Sequence, residues 1–227
     1  MRAVIFTNGQ LDPESARQQL RPGDLIVAAD GGARHALALG VTPNVVIGDL
    51  DSLSPDEQAR AEAAGAQFVR FSPRKDETDL ELALLHAARA GADEIVILGA
   101  LGGRLDQTVA NVLLLALPAL RGVNVRIVEG LQEAFLVRDE VLVHGHPGDT
   151  LSLIPLGGDA LGVTAEGVEW PLHGETLRFG LTRGVSNVFV GERARVGVRK
   201  GMLLCVVTRK DGEMRRNGDT ETQRHGG

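Results

Sequence analysis

Asp49 and Asp51 stand two residues apart in "GDLDS", directly after the apolar run Val45–Ile47. In an extended segment alternate side chains share a face, and two carboxylates on one face suit Mg²⁺. A lone D-x-D is more often an ordinary turn, so its company decides. Asn8-Gly9 follows the run Ala3–Phe6, and Asp30-Gly31-Gly32 follows Leu25–Ala29. Lys75-Asp76-Glu77-Thr78-Asp79 comes after Gln67–Phe71, and Gly102-Gly103-Arg104-Leu105-Asp106-Gln107 after Ile95–Leu98. Carboxylates gathered without a cation would disfavour their own ionisation. Asp79, at a predicted helix start, can supply a third metal ligand. Lys75 and Arg104 can offset phosphate charge, the arginine in bidentate fashion. Gly31-Gly32 and Gly102-Gly103 permit close backbone approach, with helix N-termini just downstream. The chain has no G-x-x-x-x-G-K-[ST] and no G-x-G-x-x-G after its first strand, which excludes those two nucleotide fingerprints.

These clusters matter only if strands deliver them to one rim, because ligands of open α/β sheets bind beyond the carboxyl ends of the strands. Over the first 130 or so residues, short apolar runs alternate with helical patterns, which predicts a mostly parallel, Rossmann-like sheet with flanking helices. The sixth strand is expected at Val125–Val128. Ser54-Pro55-Asp56-Glu57 and Thr78-Asp79-Leu80-Glu81 both read as capping boxes. After the second, Leu80, Ala83, Leu84, Ala87 and Ala88 fall on one helical face, closed by Gly91.

Past Leu131 the texture changes to strand-like pieces, such as Glu140–Val143, Thr150–Ile154, Gly174–Leu177 and Arg195–Val198, cut by Gly, Pro and Asp turns. The pattern predicts a small all-β sandwich. The expected division is an α/β catalytic domain over 1–132, an all-β domain over 133–210 and a polar, fraying tail over 211–227.

At 227 residues, 43 % of them hydrophobic, the chain can bury a real core. A net charge of −6 argues against a nucleic-acid partner. No window reaches the roughly 20 apolar residues of a spanning helix, and the start "MRAVIFTNGQ" is too short for a secretory segment. The cytoplasm is the expected compartment. The single Cys, Cys205, lies in the apolar run Met202–Val207 and reads as a core thiol. His144 and His146, beside Pro147-Gly148, read as loop residues, and Ser186 as a hydrogen-bonding residue. Trp170 is the one Trp among few aromatics: a core residue of the sandwich, or a platform for a ligand.

The ordered set "DGGA", "GDLDS", "KDETDLELAL" and "GGRLDQ" resembles the thiamin pyrophosphokinase family, and "EGVEWPL" and "RGVSN" resemble its thiamin-binding half. Gln107 stands where many bacterial members carry His, and Leu50 replaces a frequent Phe. The resemblance implies transfer of a pyrophosphoryl group from ATP to the hydroxyethyl oxygen of thiamin, leaving AMP. By it, Asp49, Asp51 and Asp79 would hold Mg²⁺, and Lys75, Arg104 and the Gly102-Gly103 backbone would bind the triphosphate. Asp30, Gly31, Gly32, Asp76, Thr78, Asp106 and Gln107 would shape the nucleotide site. Trp170, Ser186 and Asn187 would contact thiamin, in a homodimer with sites near the subunit boundary. Asp76, Asp79 and Asp106 all remain candidates for accepting the alcohol proton.

Rivals fit less well. A diphosphokinase of a pterin alcohol leaves "EGVEWPL" and "RGVSN" unexplained. A phosphohydrolase of the haloacid-dehalogenase type calls for Thr or Val where Leu53 stands. A non-catalytic sensor would be expected to lack one of the three metal acids.

Overall fold

The computed structural model describes residues 1–210, which form two compact units, Met1–Gly130 and a second beginning at Leu131. The tail expected over 211–227 lies outside the described residues.

In the first unit, strands and helices alternate. They run β1 (Arg2–Phe6), α1 (Pro13–Gln19), β2 (Leu25–Ala29), α2 (Gly32–Ala38), β3 (Val45–Gly48) and α3 (Pro55–Ala63). Then come β4 (Gln67–Arg70), α4 (Asp79–Arg89), β5 (Glu94–Leu98), α5 (Leu105–Leu113) and β6 (Asn124–Glu129). The strands lie side by side in the order β6-β5-β1-β2-β3-β4, every pair parallel. Strands such as Ala3–Phe6 and Ile95–Leu98 are buried along their whole length. Covered on both faces, they appear in sequence as unbroken apolar runs rather than alternating ones. The chain order switches at β1, whose neighbours are β2 and β5. A crevice opens at such a switch.

Caps set where the helices begin. Ser54 Oγ accepts from the Glu57 N–H and Glu57 Oε2 accepts from the Ser54 N–H, a complete capping box. At α4 only half of the expected box forms: Thr78 Oγ1 accepts from the Glu81 N–H at 3.2 Å. Leu80, Ala83, Leu84 and Ala87 are buried, as the helical spacing requires. At the opposite end of the strands, Arg2 ties β1 to Asp24 at 2.6 Å and to Glu94 at 2.9 Å.

The strands of the second unit fall into two antiparallel sets. One has the order β12-β9-β14-β7, with β7 at Gln132–Val137, β9 at Thr150–Pro155, β12 at Asn187–Val188 and β14 at Leu203–Thr208. The other has the order β11-β10-β13-β8, with β8 at Glu140–His144, β10 at Ala160–Glu166, β11 at Leu172–Leu177 and β13 at Arg193–Gly197. One core draws on both, joining Leu151, Leu153 and Leu203 to Val163, Leu177 and Val196. Cys205 is fully buried in this core, and burial pushes its thiol far above the usual range. It cannot act as a nucleophile from there. His146 lies in a loop whose N–H donates to buried Asp149, which also accepts from Arg209 and the Lys210 N–H. Burial alone would raise the Asp149 carboxyl, but those donors together hold it below its ordinary value. Among the described residues no helix is long and apolar enough to cross a membrane.

Candidate active site

A cleft of about 1010 Å³ opens beyond the carboxyl ends of the strands of the first unit, and all five polar clusters line it. Asn8, Gly9 and Gln10 come from β1, Asp30 from β2, and Asp49 and Asp51 from β3. Lys75, Thr78 and Asp79 follow β4, and Gly102, Gly103, Arg104, Asp106 and Gln107 follow β5. Asp76 is exposed and does not line the cleft, which leaves Asp79 and Asp106 as the candidate bases that do.

The acids converge through an unusual backbone. Leu50, between Asp49 and Asp51, has φ 67° and is buried, so the pair is not carried on an extended segment. The left-handed residue drives the leucine side chain into the core and turns both aspartates the other way. Bulky residues seldom adopt this conformation, and sites that do so cluster where function demands a geometry. Asp30 is also left-handed, at φ 45°, with its N–H donating to the Ile47 carbonyl at 2.8 Å.

Asp30, Asp49 and Asp51 each offer a carboxylate oxygen, and these atoms lie within 4.8 Å of one another. Asp30 is buried, and its Oδ1 has no hydrogen-bond partner. Three carboxylates gathered in this way, one of them buried with an unpartnered oxygen, are a donor set for a hard divalent cation. The resemblance implies Asp49, Asp51 and Asp79, and here Asp30 is the acid that clusters with Asp49 and Asp51. Asp79 Oδ1 is engaged by the Lys75 ammonium, four residues before it in the chain. Burial raises the Asp79 carboxyl, Lys75 opposes that shift, and the charges of Asp30 and Asp49 add to it. Asp79 therefore lies near Asp30 and Asp49 with one oxygen engaged by Lys75. A Cβ on Gly48 would sit 2.9 Å from the Asp30 Cβ and 3.1 Å from Asp79 Oδ1, so the missing side chain is what lets these acids gather.

Lys75 also lies 5.6 Å from the centroid of the Phe71 ring. Arg104 pairs with Asp106 through two bonds, at 3.1 and 2.5 Å. That contact raises the guanidinium and lowers the carboxyl.

The glycine pairs divide in role. A Cβ on Gly32 would come within 3.0 Å of the Phe6 carbonyl, and one on Gly31 would meet the Asn8 side chain at 2.6 Å. Gly32 thereby lets α2 pack closely on β1, and neither Gly31 nor Gly32 lines the cleft. Gly102 is covered by Gln10, whereas Gly103 faces open space at φ 71°. Asn8 and Gln10 are thus cleft residues that sequence reasoning left without a role. Asn111, also on the wall, donates to the Ala100 carbonyl at 2.8 Å. Its position four residues after Gln107, on the same helical face, was the available signal.

In the second unit Trp170 is 58 % exposed, which rules out the core reading for it. Asn187 is buried, and its carboxamide clasps the Trp170 backbone from both sides, accepting from N–H at 3.1 Å and donating to the carbonyl at 2.7 Å. Ser186, left-handed at φ 64°, donates its N–H to Ser152 Oγ at 3.0 Å.

Known proteins resemble both units of the chain. Residues 16–127 match the family described as "Thiamin pyrophosphokinase, catalytic domain", and residues 140–203 match "Thiamin pyrophosphokinase, vitamin B1 binding domain". A thiamine pyrophosphokinase of Oryza sativa is 30 % identical over 221 residues, covering 82 % of this chain and 78 % of its own. The thiamine pyrophosphokinase of Bacillus subtilis is 28 % identical over 184 residues, covering 80 % and 86 %. A crystal structure of thiamine pyrophosphokinase from Bacillus subtilis superposes with a TM-score of 0.83 at 25 % identity, over 92 % of this chain and 99 % of that one.

Proposed function

The chain belongs to the thiamin pyrophosphokinase family, and from that premise we propose that it moves the pyrophosphoryl group of ATP to the hydroxyethyl oxygen of thiamin, releasing AMP. The observation that carries this reading is the one cleft into which five strand-end clusters converge, where Asp30, Asp49 and Asp51 bring carboxylate oxygens within 4.8 Å of one another. Asp30, Asp49 and Asp51 would hold Mg²⁺, with Asp79 close enough to join if Lys75 turns to phosphate. The ion would offset charge on the oxygens flanking the bond that breaks. Lys75 and Arg104 would bind the triphosphate, and the open Gly103 backbone admits it closely. Transfer of this kind is catalysed mainly by placement and charge neutralisation, so these residues decide which phosphorus faces the alcohol. Asp79, whose carboxyl is already raised, or Asp106 would take the alcohol proton. Trp170, with Ser186 and Asn187 shaping its segment, would face the cationic thiamin ring. We read the first unit as a Rossmann-like nucleotide domain and the second as a thiamin-binding sandwich. A cytoplasmic homodimer without membrane or nucleic-acid partners completes the reading, supported by the family resemblance.

The deciding experiment separates the products of ATP, Mg²⁺ and thiamin. AMP and thiamin diphosphate should appear in step. ADP with thiamin monophosphate would overturn the reading, as would free phosphate formed without an acceptor.

A second result should localise thiamin. Trp170→Ala is expected to raise the KM for thiamin about 2- to 30-fold, the range for losing an aromatic face under a cation, while the KM for ATP barely moves. Because Trp170 is exposed, the variant should melt close to wild type. Equal effects on both substrates would remove Trp170 from the thiamin site.

A further inference from the structure

The strained turn carrying Asp49 and Asp51 is fastened from outside the cleft. Gln58, on α3, donates from Nε2 to the Leu50 carbonyl at 3.2 Å and to the Leu53 carbonyl at 3.0 Å, spanning the turn. Its Oε1 accepts from Arg70 Nη2 at 3.0 Å, which fixes the end of the amide that faces the turn. Arg34, on α2, donates to the intervening Ser52 carbonyl at 2.6 Å. The Arg34 guanidinium is held in turn by both oxygens of Glu57, at 2.7 and 3.3 Å. Glu57 also accepts from the Ser54 N–H, and with Arg34 as the main cause its carboxyl falls to about 2. None of Gln58, Arg34, Glu57 and Arg70 lines the cleft.

Three carbonyls within four residues are thus tied to side chains of two helices. A leucine at positive φ persists only where its surroundings over-determine it. Buried Leu50 supplies one restraint, packing with Ala28, Val46 and Ala61. The ties at Leu50, Ser52 and Leu53 supply the others. We propose that Gln58 is a positioning residue of the metal site, holding the turn in the left-handed form that brings Asp49 and Asp51 onto Asp30, with the Arg34–Glu57 pair as its second support. The proposal rests on the Mg²⁺ reading given above. Groups that orient metal ligands without touching the ion commonly change its affinity by about 10- to 100-fold when removed.

The test titrates the full chain with Mn²⁺ alone, following free Mn²⁺ by electron paramagnetic resonance. Gln58→Ala should raise the Mn²⁺ dissociation constant by about 10-fold or more. Gln58→Glu keeps the acceptor for Arg70 but turns a carboxylate toward two carbonyls, and should raise the constant further. Amide exchange across 49–53 should quicken in both variants without any metal, a change that a role confined to α3 would not produce. A folded Gln58→Ala that binds Mn²⁺ as wild type does would overturn the proposal and leave the metal reading intact. Absence of Mn²⁺ binding by the wild type would overturn both. Unfolding of both variants would make Gln58 a residue of the fold and end the positioning role.

Discussion

Asp49→Asn and Asp51→Asn should each lower turnover by about a thousandfold while leaving the protein folded. Each change leaves Asp30 with a single partner carboxylate, too few charged ligands to hold the ion in place. A bound divalent ion contributes several kcal/mol to such a transition state, and about 4 kcal/mol corresponds to three powers of ten in rate. Folding should not suffer. Asp51 is exposed and Asp49 partly so, and removing one charge from a crowded trio relieves repulsion. A melting temperature equal to or above wild type, together with lost turnover across a wide Mg²⁺ range, is the expected pair of observations. Wild-type turnover at ordinary Mg²⁺ would sink the metal assignment.

Gly32→Ala should do the reverse, damaging the fold before the chemistry. A Cβ there would come within 3.0 Å of the Phe6 carbonyl oxygen and carbon and the Thr7 nitrogen. These are backbone atoms of the central strand β1 and its exit, so no flexible side chain can swing away. Overpacking of this sort costs about 1–3 kcal/mol or more, against a total of about 5–15 kcal/mol for an ordinary domain. The melting temperature should fall by about 5–15 °C. Gly191→Ala is the control, since nothing lies within 4 Å of its added carbon. If the two variants melt together at the wild-type temperature, the close approach of α2 to β1 does not hold in solution.

These substitutions also mark what could be read in the residues and what could not. The α/β alternation was legible because strands buried on both faces leave continuous apolar runs, and because Ser54 and Thr78 announce their helices by local chemistry. Strand β10 was not legible. Its pairing with β11 shifts register twice, and Gly162 sits at positive φ, so no clean alternation survives in Ala160–Glu166. The rim acids were visible as a set, Asp30 with Asp49 and Asp51 among them, but the backbone that brings the three together was not. Their convergence depends on two left-handed residues in different loops, a property of neighbouring strands rather than of spacing. The glycines were ambiguous for a related reason: the same Gly-Gly pair permits a phosphate to approach or a helix to pack. Only the atoms opposite Gly31, Gly32 and Gly103 distinguish the cases.

Strand β14 pairs with β7 on one side and β9 on the other, yet it is the last of the described strands in the chain. On the ribosome, every strand of the first unit exists once Glu129 has been made. The roughly 80 residues from there to Thr208 take about 4–16 s to synthesise at about 5–20 residues per second. Once made, β7 and β9 each carry an edge that only β14 can close, and open apolar edges invite pairing with other chains. Completion of the second unit therefore waits for β14. Translation speed and chaperone cover over these seconds bear on the yield of soluble protein.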